Sequence, residues 1–295
     1  MRVLVNGVHL YFDIEGAGLV PDGPTMCAKP TLLLLHGGPG MDHSLYKPAY
    51  SALADVAQVV YLDHRGNGRS EAGPRDLWTL AQWADDVHEF CRVLGIERPI
   101  VCGVSFGGMV TMAYAARHPE HPAKLILTST TMAWAAHNKA RVTMFRRLGG
   151  AVAGALAHRR FVNADTSADV LEQWLHVALP LYTRQPLSAD ALARSVMKDE
   201  VRVWFNQPGG EAHSFNLKPG LERVRCPTLV MGGTLDPMTP IECQRDIAAA
   251  LPHHLVQYEE FADCGHGVVG DAPTAALAVM RGFIAPISPP AAAAA

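Results

Sequence analysis

Neither sign of charge is in excess in this sequence: 25 Lys and Arg face 28 Asp and Glu, a formal net charge of −3. With no basic field to collect phosphates, nucleic acid is excluded as an expected partner. Long apolar runs are also missing. The longest, 32–35 and the small-residue stretch 148–157, fall far short of the roughly 18 residues needed to cross a bilayer, so no membrane association is expected. The opening MRVLVNGVHLYFDIEG alternates apolar with polar. It has neither the apolar core nor the small-residue cleavage site of a secretory leader.

Cysteine is sparse and unpatterned. Residues 27, 91, 102, 226, 243 and 264 form no C-x-x-C pair and lie in apolar settings. Buried reduced thiols are expected, as suits a cytoplasmic protein. His118 and His121 are three apart, but Pro119 and Pro122 break the helix that would aim them together, so no metal site is expected. What is present is ordinary globular composition, 49% hydrophobic and 18% charged over 295 residues. That suffices for one large α/β core.

Asn6-Gly7 between alternating apolar runs predicts a hairpin of two antiparallel strands. A Gly/Pro loop over 16–30 follows. Short continuous apolar runs at 31–35, 58–62, 99–102 and 125–128 read as strands covered on both faces. Helical stretches separate them: an amphipathic segment at 45–54, a helix from the Thr79 cap to about Leu94, and one over 106–117. Such alternation means a parallel sheet wrapped by helices. It lapses over 131–220, which reads as helical with no strand, and resumes with strands at 228–231 and 255–259 and helices at 241–250 and 273–284. The expected organisation is an α/β core over 1–130 and 221–290, a helical lid over 131–220, and an unstructured tail, 291–295.

One motif stands out. Gly103-Val104-Ser105-Phe106-Gly107-Gly108 directly follows a buried strand and opens a helix of small residues. That context gives a G-x-S-x-G match its meaning. A sharp turn would push Ser105 out of the sheet top, and the helix N-terminus favours negative charge developing beside it.

Here the chain resembles the α/β-hydrolase family over nearly its whole length, which implies a mostly parallel eight-stranded sheet flanked by helices with a helical lid insertion. The family order is Ser, then Asp or Glu, then His, on loops after late strands. Asp236, in Gly232-Gly233-Thr234-Leu235-Asp236-Pro237, and His266, in Cys264-Gly265-His266-Gly267, supply both. Asp263 is a rival acid, too near His266 in sequence to come from a separate strand end. In this reading His266 takes the Ser105 proton and returns it to the leaving group, while Asp236 holds the tautomer. The second motif is His36-Gly37-Gly38-Pro39-Gly40. By the same resemblance the Gly38 and Phe106 N–H groups form an oxyanion hole, and His36 orients the loop. No GxxxxGK[ST] phosphate loop is present.

HGGPG, with Asp63-His64-Arg65-Gly66-Asn67-Gly68-Arg69-Ser70, is similar to the proline iminopeptidase branch. Asp63, Arg65 and Arg69 read as braces for their loop. Two features depart from the branch: the elbow is GVSFGG, a form common in esterases and lactonases, and Pro237 follows the acid where one group of aminopeptidases has Glu. Glu211 is the best candidate left to hold a substrate ammonium, with Asp199 and Glu200 behind it, although solvated surface charge explains all three. Trp174, Tyr182, Trp204 and Phe205 could line an acyl pocket, although core packing explains most of them equally well. Arg141, Arg146, Arg147, Arg159 and Arg160 read as a solvated face. The expected activity is cofactor-free hydrolysis of a small carboxylic ester or lactone. The alternatives are amide cleavage at an N-terminal residue and, more remotely, a non-catalytic ligand receptor.

Overall fold

Asn6 and Gly7 both take positive φ, 43° and 79°, the geometry of a two-residue turn whose twist matches its strands. They join β1 (Arg2–Val5) to β2 (Val8–Glu15) in antiparallel register, Val5 opposite Val8. The structure, a computed structural model, describes residues 1–285; the expected tail and the last residues assigned to the core lie outside them. The segment 16–30 is not a plain loop. It folds into a small separate hairpin, β3 (Leu19–Asp22) and β4 (Thr25–Ala28), around Gly23-Pro24. Because both strands are largely exposed, no burial pattern announced them. Cys27 lies on this hairpin as an exposed thiol, against the expectation of burial, while the other five are buried; all six are free.

The continuous apolar runs become the middle of the sheet. β5 (Thr31–Leu35), β6 (Gln58–Leu62), β7 (Ile100–Val104), β8 (Lys124–Thr128), β9 (Thr228–Gly233) and β10 (Val256–Phe261) pair in parallel. The eight-stranded order is β1-β2-β6-β5-β7-β8-β9-β10, with only the first two strands antiparallel to their neighbours. Helices cover both faces. α1 (Leu80–Val93) is capped by Thr79, whose hydroxyl accepts the Gln82 N–H at 3.2 Å. It buries Leu80, Trp83, Val87 and Phe90 with α2 (Phe106–Arg117) over one face. Leu94, expected on that stripe, falls just past the helix end and is exposed. The 45–54 stretch forms short 3₁₀ turns, His43–Tyr46 and Ala49–Asp55, since Pro48 interrupts a longer helix.

Between β8 and β9 the described chain is helical: α3 (Asn138–Phe161), α4 (Ala168–Gln173), α5 (Ala189–Arg194), α6 (Asp199–Asn206) and α7 (Lys218–Leu221), with shorter turns. Part of this segment has a small core of its own around Phe145, Phe161 and Trp174. α8 (Ile241–Ala250), α9 (Val268–Asp271) and α10 (Pro273–Ile284) complete the layers, α10 packing on the second face of the sheet. Among the described residues no helix is long and apolar enough to cross a membrane.

Candidate active site

The parallel strands deliver their C-terminal ends to one edge of the sheet, where α/β folds place ligands. At the end of β7 the chain reverses sharply into α2. Ser105 sits at the reversal with φ 55° and ψ −117°, a strained conformation for a non-glycine residue and a recurrent feature of functional turns. The turn is possible because Gly107 has no side chain: a Cβ there would collide with the Leu35 carbonyl of the neighbouring strand. Ser105 is partly exposed, while Val104 and Phe106 on either side are buried.

Asp236 follows β9 and is fully buried. Its Oδ1 accepts the Met238 and Thr239 N–H groups at 2.8 and 2.9 Å, and its Oδ2 accepts the Thr239 hydroxyl at 2.6 Å. His266, on the loop after β10, places Nδ1 2.8 Å from Asp236 Oδ2. A carboxylate that only accepts assigns the proton to Nδ1 and leaves Nε2 as a base. His266 is aimed from outside the core as well: its N–H donates to the Tyr182 carbonyl at 2.6 Å, and the Tyr182 ring stands edge-on at 5.9 Å. Asp263, the rival acid, is exposed. The structure therefore brings Asp236 and His266 together and presents Ser105 on the same sheet edge. Among the described residues no hydrogen bond joins the serine hydroxyl to the imidazole.

The His36–Gly40 loop follows β5 and lies against the elbow, the Gly37 backbone packing next to Ser105 Cβ. The Gly37 N–H donates to Tyr46 Oη at 2.7 Å and the Gly40 N–H to Asn67 Oδ1 at 2.6 Å. Neither the Gly38 nor the Phe106 amide donates to a protein acceptor among the described residues. His36 orients its loop, as its sequence context suggests: Nδ1 donates to the Gly37 carbonyl at 2.7 Å and Nε2 accepts the His64 N–H at 3.1 Å. Burial pulls the pKa of His36 down and that of His64 well down, His64 being further disfavoured by His36. Both imidazoles are thus folded as neutral groups that the unfolded chain protonates below about pH 6.5. Stability should hold from pH 8 to about 6.5 and fall as the pH drops further. Urea midpoints read between pH 8 and 5 would show this, and a flat series would contradict it.

Asp42, His43 and Asp63 bring ligand-type atoms close enough together for a cation. Protein donors already occupy them. Asp63 accepts from His43 Nδ1 at 2.7 Å and from the Arg69 N–H at 2.9 Å; Asp42 accepts from Ser44, the Val196 N–H and the Arg69 guanidinium. The donor set suits a charge network in which Arg69 is the cation, so Asp63 and Arg69 brace the loop as expected. Arg65 does so through a buried bidentate pair with Asp86, at 2.7 and 2.8 Å.

Three sequence candidates for substrate contacts have structural partners instead. Glu211 accepts the Leu80 N–H at 2.8 Å, satisfying an orphan amide at the start of α1. Trp174 is buried against Phe145 and Phe161, its indole N–H donating to Tyr182 Oη at 2.9 Å. Trp204 packs edge-on against Trp78. Tyr182 alone of the four touches His266. The arginine cluster is only in part a solvated face: Arg146 and Arg147 are exposed, but two others are not. Arg141 is fully buried over the Trp134 ring, 3.9 Å from its centroid, and donates from Nε to the Met238 carbonyl at 2.6 Å. Arg160 lies over Trp174. Sequence reasoning missed Thr239 and Asp271. Asp271 accepts the Gly265, Arg184 and Gln185 N–H groups and so ties the His266 loop to the helical insertion.

A family model described as the alpha/beta hydrolase fold matches residues 30–273. The chain belongs to the α/β-hydrolase fold family. A relative named "Putative carbamate hydrolase RutD", from Caulobacter sp. strain K31, is 27% identical over 286 residues, covering 93% of this chain and 95% of its own. Among solved α/β-hydrolases, the proline iminopeptidase of Mycobacterium smegmatis matches with a TM-score of 0.79 at 25% identity, over 96% of this chain and 97% of that one. The enol-lactonase from Burkholderia xenovorans LB400 matches with a TM-score of 0.66 at 26% identity, over 96% and 98%. All three names are those of hydrolases.

Proposed function

We propose that this chain is a serine hydrolase cleaving a small carboxylic ester or lactone. Ser105 attacks the carbonyl, His266 Nε2 takes its proton and later passes it to the leaving alkoxide, and Asp236 keeps Nδ1 protonated. The Gly38 and Phe106 amides hold the developing oxyanion, where losing one such donor costs about 2.7–4 kcal/mol. Water then releases the acyl group from Ser105. The observation that carries the reading is the 2.8 Å contact between Asp236 and His266 on loops after separate strands, on the same sheet edge as a serine held at positive φ. Helical residues 131–220 act as a lid: the Lys198 N–H donates to the Gly40 carbonyl at 2.8 Å and Tyr182 meets His266.

The second reading, aminopeptidase cleavage, is favoured by the HGGPG loop and the likeness to the M. smegmatis proline iminopeptidase. It needs an acid free to hold an ammonium group. Glu211, the best sequence candidate, gives one carboxylate oxygen to the Leu80 amide; an ester needs no ammonium site and its alkoxide leaves more easily than an amide nitrogen, and for this reason the ester is preferred. Turnover of p-nitrophenyl acetate and butyrate against proline p-nitroanilide separates the two. The esters should give a kcat/KM at least tenfold higher, and a tenfold preference for the anilide would reverse the ranking.

A further inference from the structure

Ser105 and Asp236 lie at the ends of different strands, with β8 between them, and a single side chain spans the gap. Gln244, fully buried on α8, accepts the Thr130 N–H through Oε1 at 3.0 Å and donates from Nε2 to the Thr239 carbonyl at 3.0 Å. Each end is one residue from the proposed chemistry. The Thr130 hydroxyl donates to the Ser105 carbonyl at 2.7 Å. Thr239 donates to Asp236 from its N–H at 2.9 Å and from its hydroxyl at 2.6 Å. Strand β9 makes room for this bridge: a Cβ on Gly232 would collide with Gln244 Cγ.

We propose that Gln244 is a positioning residue that fixes the serine-bearing turn and the acid loop in one frame, so that Asp236 meets His266 in line with Ser105. The inference rests on the triad reading above. An amide fills this place at every pH. One planar group must accept a backbone N–H on one side and donate to a backbone carbonyl on the other, at a site closed to bulk solvent. A glutamate of the same shape keeps the first bond. Protonated, as burial favours, it also donates to the Thr239 carbonyl; only when ionised does it turn a lone pair towards that carbonyl and push the residue away, whereas leucine makes neither bond at any pH. Arg141, bonded to the adjacent Met238 carbonyl, holds the loop from the insertion side but has no link to the elbow.

The test is Gln244→Glu and Gln244→Leu in the full chain, with kcat and KM measured on p-nitrophenyl butyrate. A small misplacement of a supporting group can cost up to about 100-fold. Gln244→Leu should lose roughly 10- to 100-fold in kcat with KM changed less than threefold. The acid limb of its kcat/KM profile should move to lower pH, because a loosened Asp236 supports the imidazolium less well. A kcat within twofold of wild type overturns the proposal. So does a fall in Tm with an unmoved pH profile, which is a merely structural role. If Gln244→Leu does not fold, the isosteric glutamate variant decides: its kcat should fall as the pH rises and the new carboxyl ionises. A pH profile identical to wild type up to pH 9, or failure of both variants to fold, counts against a positioning role. Ser105→Ala retaining turnover would sink the triad reading itself. An inactive Ser105→Ala beside a fully active Gln244→Leu would sink only this inference.

Discussion

Ser105→Ala is expected to lower kcat on p-nitrophenyl butyrate by about 10⁴- to 10⁶-fold, the range seen when a serine nucleophile is deleted from a complete triad. KM should change little, because the hydroxyl contributes to bond making and not to holding the ground state. The protein should stay folded: Ser105 is partly exposed, and its backbone bonds, such as the Ser105 N–H to the Thr128 carbonyl at 3.0 Å, do not depend on the hydroxyl. Asp236→Asn should cost about 10⁴-fold by presenting the wrong partner to Nδ1. Retention of a tenth of wild-type turnover by Ser105→Ala would mean that another group attacks the substrate.

The second large effect falls on stability, far from the chemistry. Asp86 is buried and accepts four side-chain bonds: two from Arg65, one from Asn6 at 2.9 Å and one from Gln82 at 2.9 Å. Among the described residues Arg65 has no other carboxylate partner. Asp86→Ala would strand a guanidinium in the core, a change that typically costs about 3–5 kcal/mol. In a domain of this size that corresponds to a fall in Tm of roughly 6–20 °C. The penalty belongs to the unpaired charge and not to the pair itself, so Arg65→Met with Asp86→Leu should recover much of the loss. A single Asp86→Ala variant melting within two degrees (about 0.5–1 kcal/mol) of wild type would contradict this account of the loop.

Much of the molecule could be read in the sequence because its signals are local. Four leucines in a row at 32–35 must be covered on both faces, and they are. Asn6-Gly7 dictates its own turn. Ser105, Asp236 and His266 each follow a strand within a few residues, so motif and topology together place them on one edge. What escaped was carried by residues with no local pattern. Gln244 is one polar residue on an amphipathic helix, and only the fold shows that its face meets Thr130 and Thr239. Arg141 sits in a run of arginines that reads as solvated. Its guanidinium is buried on Trp134 instead, with burial drawing its pKa down to about 10. Glu211 looked free because its partner, the Leu80 amide, lies 131 residues away. The β3–β4 hairpin was silent for the opposite reason: with both faces in water, it needs no alternation.

Covalent trapping tests the centre of this account most directly. A fluorophosphonate reacts only with a serine whose proton has somewhere to go, and peptide mapping by mass spectrometry locates the adduct. Wild-type protein should carry one phosphonyl group, on Ser105, and His266→Ala should carry none over the same exposure. An adduct on a different serine, or undiminished labelling without the imidazole, would contradict the assignment.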